Sequence, residues 1–256
     1  MNPRATVVLL LLCAAALVIL SPAGGLPDLP LSDAFLPPGG AHPLGTDDLG
    51  RDMLHATAQG LRTSVLVGLG TTILALGLGF AVGLAAGLSN PPVDDLLMRA
   101  TDVVAGLPTL LVAILVAALF GGSVVALTLV LGATRWPLVA RLARVEAQAL
   151  RAREFVLAAR ALGRSRGGIL VAHVLPQVAT VARSSAGILF GGALVSEAAL
   201  AFVGLGDPAR ASLGQLAANG FRFVVHAPWT WAAPVGAIVA LTAAVAILAD
   251  RPPKAG

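Results

Sequence analysis

The chain has 256 residues, of which 57% are hydrophobic and 12% charged, with a formal net charge of +4 and a mean hydropathy of +0.89. A soluble domain of this size cannot hide so much apolar surface, so an ordinary globular fold is excluded and a polytopic membrane protein is indicated. The basic balance does not indicate nucleic acid, because the arginines gather beside apolar runs without an aromatic or RNA-type motif.

Six apolar runs occur along the chain. The first, Thr6 to Leu20, follows Arg4 and precedes a small-residue stretch from Ser21 to Gly25, which fits either a retained span or a cleaved signal peptide. It contains Cys13, the single cysteine, which leaves no internal disulfide and no thiolate metal cluster. Five more runs follow: Thr63 to Leu88, Ala105 to Phe120, Ser123 to Val139, Val178 to Val203 and Trp229 to Ala249. At 1.5 Å rise per residue the longer runs exceed a hydrocarbon core of roughly 30 Å, and the shorter ones need flanking residues. The predicted fold is therefore all-α, with about six transmembrane helices. The 29 glycines and abundant alanines suit close helix packing where lipid removes the hydrophobic drive.

Charge orients these spans. With both termini in the cytoplasm, Arg4, Arg99, seven arginines from Arg141 to Arg166, Arg251 and Lys254 fall inside, and Arg51, Arg62, Arg210 and Arg222 outside. The expected organisation is an N-terminal span with an extracytoplasmic loop (1–61), a transmembrane domain (62–250) and a short cytoplasmic tail (251–256). A second outer loop covers residues 204 to 228.

The break between the fourth and fifth spans, residues 141 to 176, carries most of the information. A cationic segment cannot lie in hydrocarbon, where each central Arg costs about 2.5 to 3.5 kcal/mol, so it is a loop in water and a contact surface for a soluble partner. Within it, Glu154 to Gly163 is built of good helix formers. Glu154 suits the N-terminal dipole and Gly163 stops the helix. Ala158 and Ala159 give a slim face, and Phe155, Leu157 and Leu162 supply apolar contact. Leu175-Pro176 opens the fifth span, Pro being tolerated in a first turn.

Outside the spans, the motif from Gly45 to Asp52 reads as a turn leading into a short interfacial helix. Asp47 is its expected cap, Gly45 and Gly50 relax the backbone, and Arg51 and Asp52 complete the motif. Its three aspartates lack calcium-loop spacing, so the role expected is structural. Near the spans, Arg99 and Asp102 stand three residues apart and are expected to pair. Arg135 precedes Trp136-Pro137, where a kink and an interfacial aromatic are expected. Glu197, inside the fifth span, is the candidate for lining a path or pairing with Arg135. His42, His55, His173 and His226 lack metal-binding spacing, so no metal is expected on this chain.

Five segments in order resemble the permease subunit of a binding-protein-dependent ABC importer, in the dipeptide, oligopeptide and nickel branch. They are HPLGTDDLGRDML from His42, DDLLMRATDVVAGLPTLL from Asp94, RWPLVARLARVEAQALRAREFVLAARALG from Arg135, HVLP from His173 and SEAALAFVGLG from Ser196. The resemblance implies a bacterial inner-membrane protein that pairs with a second permease and receives solute from an extracytoplasmic binding protein. It also implies two cytoplasmic ATPase subunits that hold ATP-Mg. In keeping with this, the chain has no G-x4-G-K-[ST] phosphate loop, and no cofactor is expected on it. The segment around Ala158-Ala159-x3-Gly163 would be the coupling helix seated in the ATPase. It departs from the family pattern in having Leu157 where a glutamate is usual. The cargo implied is a short peptide or a related small solute, nickel included.

Two rivals come from other classes. An intramembrane enzyme acting on a lipid phosphate needs clustered acidic or His-Arg-Ser groups on one side, and Asp47-Asp48 and Asp94-Asp95 lie on opposite sides. An ion-driven secondary transporter needs an inverted repeat, and none is visible.

Overall fold

The computed structural model describes residues 33–151, 153–156, 168 and 175–249. The first apolar run and residues 250–256 lie outside the described residues. Among the described residues every regular element is a helix: α1 Met53–Leu88, α2 Pro91–Ala105, α3 Thr109–Phe120, α4 Val124–Arg151, α5 Leu175–Phe202, α6 Leu213–Phe221 and α7 Trp229–Ala249. Four helices, α1, α4, α5 and α7, contain stretches long and apolar enough to cross a membrane. The bent pair α2–α3 makes a fifth candidate.

The limits of several crossings differ from the sequence reading, each for a local reason. α1 begins at Met53 rather than Thr63, so residues 61 and 62 lie inside one continuous helix of 36 residues. Its N-cap is Asp52, not Asp47: the Asp52 carboxylate accepts from the Leu54 and His55 amides at 2.8 and 3.1 Å. The motif thus leads into a long spanning helix and not a short interfacial one. Ala105 to Phe120 is not one straight helix, because the chain bends by 69° between α2 and α3. Pro108 caps α3, and its ring disfavours helical geometry at Leu107. The 12 residues of α3 reach only about 18 Å and do not cross a core of roughly 30 Å alone.

The fourth run does not stop at Val139. α4 continues for 28 residues to Arg151, so the start of the arginine-rich stretch is helix rather than loop. Good helix formers carry it on, and α2 holds it in place. Arg144 donates through Nε and Nη2 to the two carboxylate oxygens of Asp94 at 2.6 and 2.7 Å. Arg141 donates to Asp102 at 2.7 Å, so Asp102 pairs with α4 and not with Arg99 on its own helix. A charge on the neighbouring helix is the nearer partner, and this pair joins two elements.

α1 packs along both α4 and α5. Gly79, Gly83 and Gly87, spaced by four, face Val139, Ala140, Ala143, Arg144 and Ala147 of α4. A Cβ on Gly83 would lie 2.3 Å from the Ala140 carbonyl oxygen, a separation only glycine allows. This is the small-residue packing that brings helix backbones together in lipid. Further along, Val67, Leu127, Leu131 and Leu200 join α1, α4 and α5 in one buried cluster.

α5 starts at Leu175 with Pro176 in its first turn, and α7 has the limits expected from its apolar run. The second outer loop is not plain loop. It holds α6, opened by a capping box in which the Ser212 hydroxyl accepts from the Gln215 amide and the Gln215 side chain accepts from the Ser212 amide. Leu213, Leu216 and Ala217 of α6 are buried. A Cβ on Gly214 would meet the Ala198 carbonyl oxygen at 2.4 Å, so α6 rests directly on α5.

Candidate functional site

Three groups of polar residues lie along this bundle: a motif end, a middle and an arginine-rich end. At the motif end, Gly45 and Gly50 adopt φ of 74° and 77°, which glycine takes without strain. Asp47 closes the turn between them. One oxygen accepts from the Leu49 and Arg51 amides at 2.9 and 2.8 Å, and the other accepts from Arg51 Nε at 2.7 Å. Asp52, besides capping α1, accepts from or donates to His42 Nδ1 at 2.8 Å according to protonation, and lies 3.4 Å from His55 Nδ1. Burial tends to raise the Asp52 carboxyl, but the hydrogen bonds from His42, His55 and Leu54 outweigh it and hold it below its ordinary value. Trp229 at the head of α7 donates its indole N–H to the Thr46 carbonyl at 3.0 Å. The motif is thereby clamped to the last helix, and Gly45 is the point of closest approach.

In the middle, Arg135 and Glu197 are not partners. Glu197 is 1% exposed, and one carboxylate oxygen accepts from the Ser64 hydroxyl of α1 at 2.8 Å. The same Ser64 oxygen accepts from the Leu213 amide at 3.3 Å. Glu197 therefore sits where α1, α5 and the start of α6 converge, and lines no open surface of this chain in this conformation. Arg135 points to the other side of α5, where Nη2 donates to Ser196 Oγ at 2.7 Å and to the Gly192 carbonyl at 3.1 Å. Neighbouring positions on one helix thus serve two separate polar contacts.

At the arginine-rich end, Glu154 to Val156 form a helical turn after α4, with Glu154 and Phe155 exposed and Val156 buried. Leu157, Ala158, Ala159, Leu162 and Gly163 lie outside the described residues, and so does the side chain of Leu175. Pro176 is exposed in the first turn of α5. Among the described residues, no group of three or more His, Cys, Asp or Glu side chains is placed to hold a metal.

Reading the sequence did not single out Gly79, Gly83 and Gly87, although their spacing of four was visible. It also passed over Ser64, Ser212 and Asp207, which makes a 3.1 Å contact with the amide opening α4. Lone hydroxyls and carboxylates in a sequence give no sign of partners so distant along the chain.

A bundle of apolar helices joined by glycine faces, with charges collected at one end, defines an integral membrane protein. Residues 79–251 match the family of binding-protein-dependent transport system inner membrane components. The chain is 32% identical over 216 residues to a candidate peptide permease of Brucella suis, covering 83% of this chain and 72% of that one. It is 32% identical over 226 residues to the oligopeptide transport system permease protein OppC of Mycobacterium tuberculosis, covering 87% of this chain and 78% of that one. Its fold is similar to that in a solved structure of the MetNI methionine ABC transporter in inward-facing conformations, with a TM-score of 0.61 and 16% identity, covering 78% of this chain and 95% of that one. The chain belongs to the binding-protein-dependent family, as an inner-membrane permease component of an ABC importer on the peptide-permease branch.

Proposed function

We propose that this permease moves short peptides inward, driven by ATP-Mg bound on two partner ATPase subunits, as half of a pathway completed by a second permease. The observation that carries the reading is α4: one helix from Val124 to Arg151 that continues past Pro137, its part beyond that proline packed backbone to backbone on α1 and pinned to α2 by Asp94. It leads to the turn at Glu154–Val156, where the coupling segment begins. A push on Phe155, Leu157, Ala158, Ala159 and Leu162 is then passed to α1 and α2 through these contacts. Gly163 ends the coupling helix, and Leu175-Pro176 returns the chain to α5.

On this reading the arginine-rich end and both termini face the cytoplasm, as the positive-inside bias requires. The motif end and α6 face the extracytoplasmic binding protein that delivers the cargo. Peptide is preferred to nickel because the matched relatives are named as peptide permeases. An external binding protein supplies most of the selectivity, since the spans hold few polar side chains.

The test is ATP-driven uptake of labelled di- to pentapeptides by proteoliposomes containing the complete transporter and its binding protein. Wild-type uptake with stimulated ATPase activity is expected. Gly163→Trp should abolish uptake while insertion and subunit assembly persist, and unchanged uptake overturns the lever role. Nickel uptake without peptide uptake overturns the cargo assignment.

A further inference from the structure

Arg135 carries a charge that no carboxylate among the described residues answers. It lies 11 residues into α4 from Val124, about 17 Å along the helix and within the apolar run from Ser123 to Val139. Two N–H groups of Nη2 are used on neutral acceptors, Ser196 Oγ and the Gly192 carbonyl. Nε is buried without a partner. Nη1 has no partner among the described residues and, unlike Nε, is not sealed from the surface. Carboxylates on the helices packed against α4 are engaged elsewhere: Glu197 with Ser64, Asp94 with Arg144 and Asp102 with Arg141.

The guanidinium is also held in place. A Cβ on Gly192 would stand 2.5 Å from Nη1, so glycine there leaves the space that the group occupies. Anchored through Nη2 on one side and bounded by the α5 backbone, it presents Nη1 in a fixed direction. Inside a span a cation is held by carboxylates or backbone carbonyls, and it marks a candidate residue of a solute or ion pathway. A guanidinium is also the side chain whose geometry suits a carboxylate.

We infer that Arg135 is a way-station on the translocation path that binds the C-terminal carboxylate of the passing peptide through Nη1. This rests on the peptide-transport reading above. Every linear peptide carries that group whatever its side chains, so one arginine serves a cargo of variable sequence. It adds a common handle where the apolar spans provide none.

The experiment uses the complete transporter with its binding protein in proteoliposomes. Uptake of one tripeptide with a free carboxylate is compared with that of its C-terminal amide, for wild type, Arg135→Lys and Arg135→Gln. The binding protein also discriminates these peptides, but its preference is common to all three proteins and cancels when the acid-to-amide ratios are compared between variants. Loss of a charge-assisted hydrogen bond predicts a fall of about ten-fold or more in that ratio for Arg135→Gln. Arg135→Lys should retain part of the ratio. An equal fall for acid and amide overturns the inference and assigns Arg135 a structural role. Loss of the second permease on purification of Arg135→Gln overturns it in favour of a carboxylate on that subunit. Wild type that takes up neither peptide overturns the transport reading itself, and the inference with it.

Discussion

Replacing Gly83 tests whether the glycine face of α1 holds the bundle together. A Cβ at this position would stand 2.3 Å from the Ala140 carbonyl oxygen and 2.8 Å from Ala143 Cβ, well inside the 3.4 Å at which ordinary contact begins. Both neighbours belong to the α4 backbone or to its shortest side chain, so neither can swing away. The helices must part by about 1 Å, which in a close-packed interior also loosens the contacts at Gly79 and Gly87. Overpacking of this kind costs about 1 to 3 kcal/mol. Gly77, on the same helix, has nothing within 4 Å of its Cβ position and supplies the control. Both replacements by alanine gain the same helix propensity, up to about 1 kcal/mol. The difference between Gly83→Ala and Gly77→Ala, read by SDS-induced unfolding of the assembled transporter, is therefore the packing cost alone. Gly77→Ala should match or exceed wild type, and Gly83→Ala should fall below it by about 1 to 3 kcal/mol. Equal stability of the two variants refutes the close contact of α1 with α4.

Two further outcomes follow from the polar contacts. Because the hydrogen bonds at Asp52 depress its carboxyl when folded, its stabilisation is present above the ordinary value of 3.8 and is lost as pH falls below it through the folded value. The protection factors of the Leu54 and His55 amides should therefore fall in acid, and Asp52→Ala should remove that pH dependence at a cost of about 1 kcal/mol. Ser64→Ala strips Glu197 of its hydroxyl donor and the Leu213 amide of its acceptor. It should lower stability by about 1 to 3 kcal/mol, measured by thermal unfolding, with Ser64→Thr milder.

The sequence predicted α7 to the residue and α5 to within three residues at either end, because unbroken apolar runs end there at turn residues. It misjudged elements whose limits depend on a partner. α4 runs past Val139 because Asp94 and Asp102 on α2 neutralise the arginines that, read alone, marked the start of a loop. α1 starts early because Asp52 caps it and its first turns pack on α6; the Cβ position of Gly60 lies 3.0 Å from the Leu213 amide nitrogen. At the candidate site, the turn glycines Gly45 and Gly50 were legible from residue type. The separation of Arg135 from Glu197 was not, since it depends on which sides of α5 Ser196 and Glu197 occupy.

That separation has a mechanical consequence for the lever reading. An Arg135–Glu197 pair would have fastened α4 to α5 through a strong contact in the middle of the bundle, resisting relative movement there. Instead Arg135 rests on a carbonyl and a hydroxyl of α5, while Glu197 joins α5 to α1 and to α6. The firm joints thus run from α4 to α1 through glycine, and from α1 to α5 and α6 through Ser64. α1 is the element common to both sets, and the motif end clamps its start beside α7 through Thr46 and Trp229. A displacement entering at Glu154 would pass along α4 into α1, and α1 would carry it to α6 at the opposite end. On the same reading Arg135 would keep α4 joined to α5 through Gly192 and Ser196 while that displacement passes.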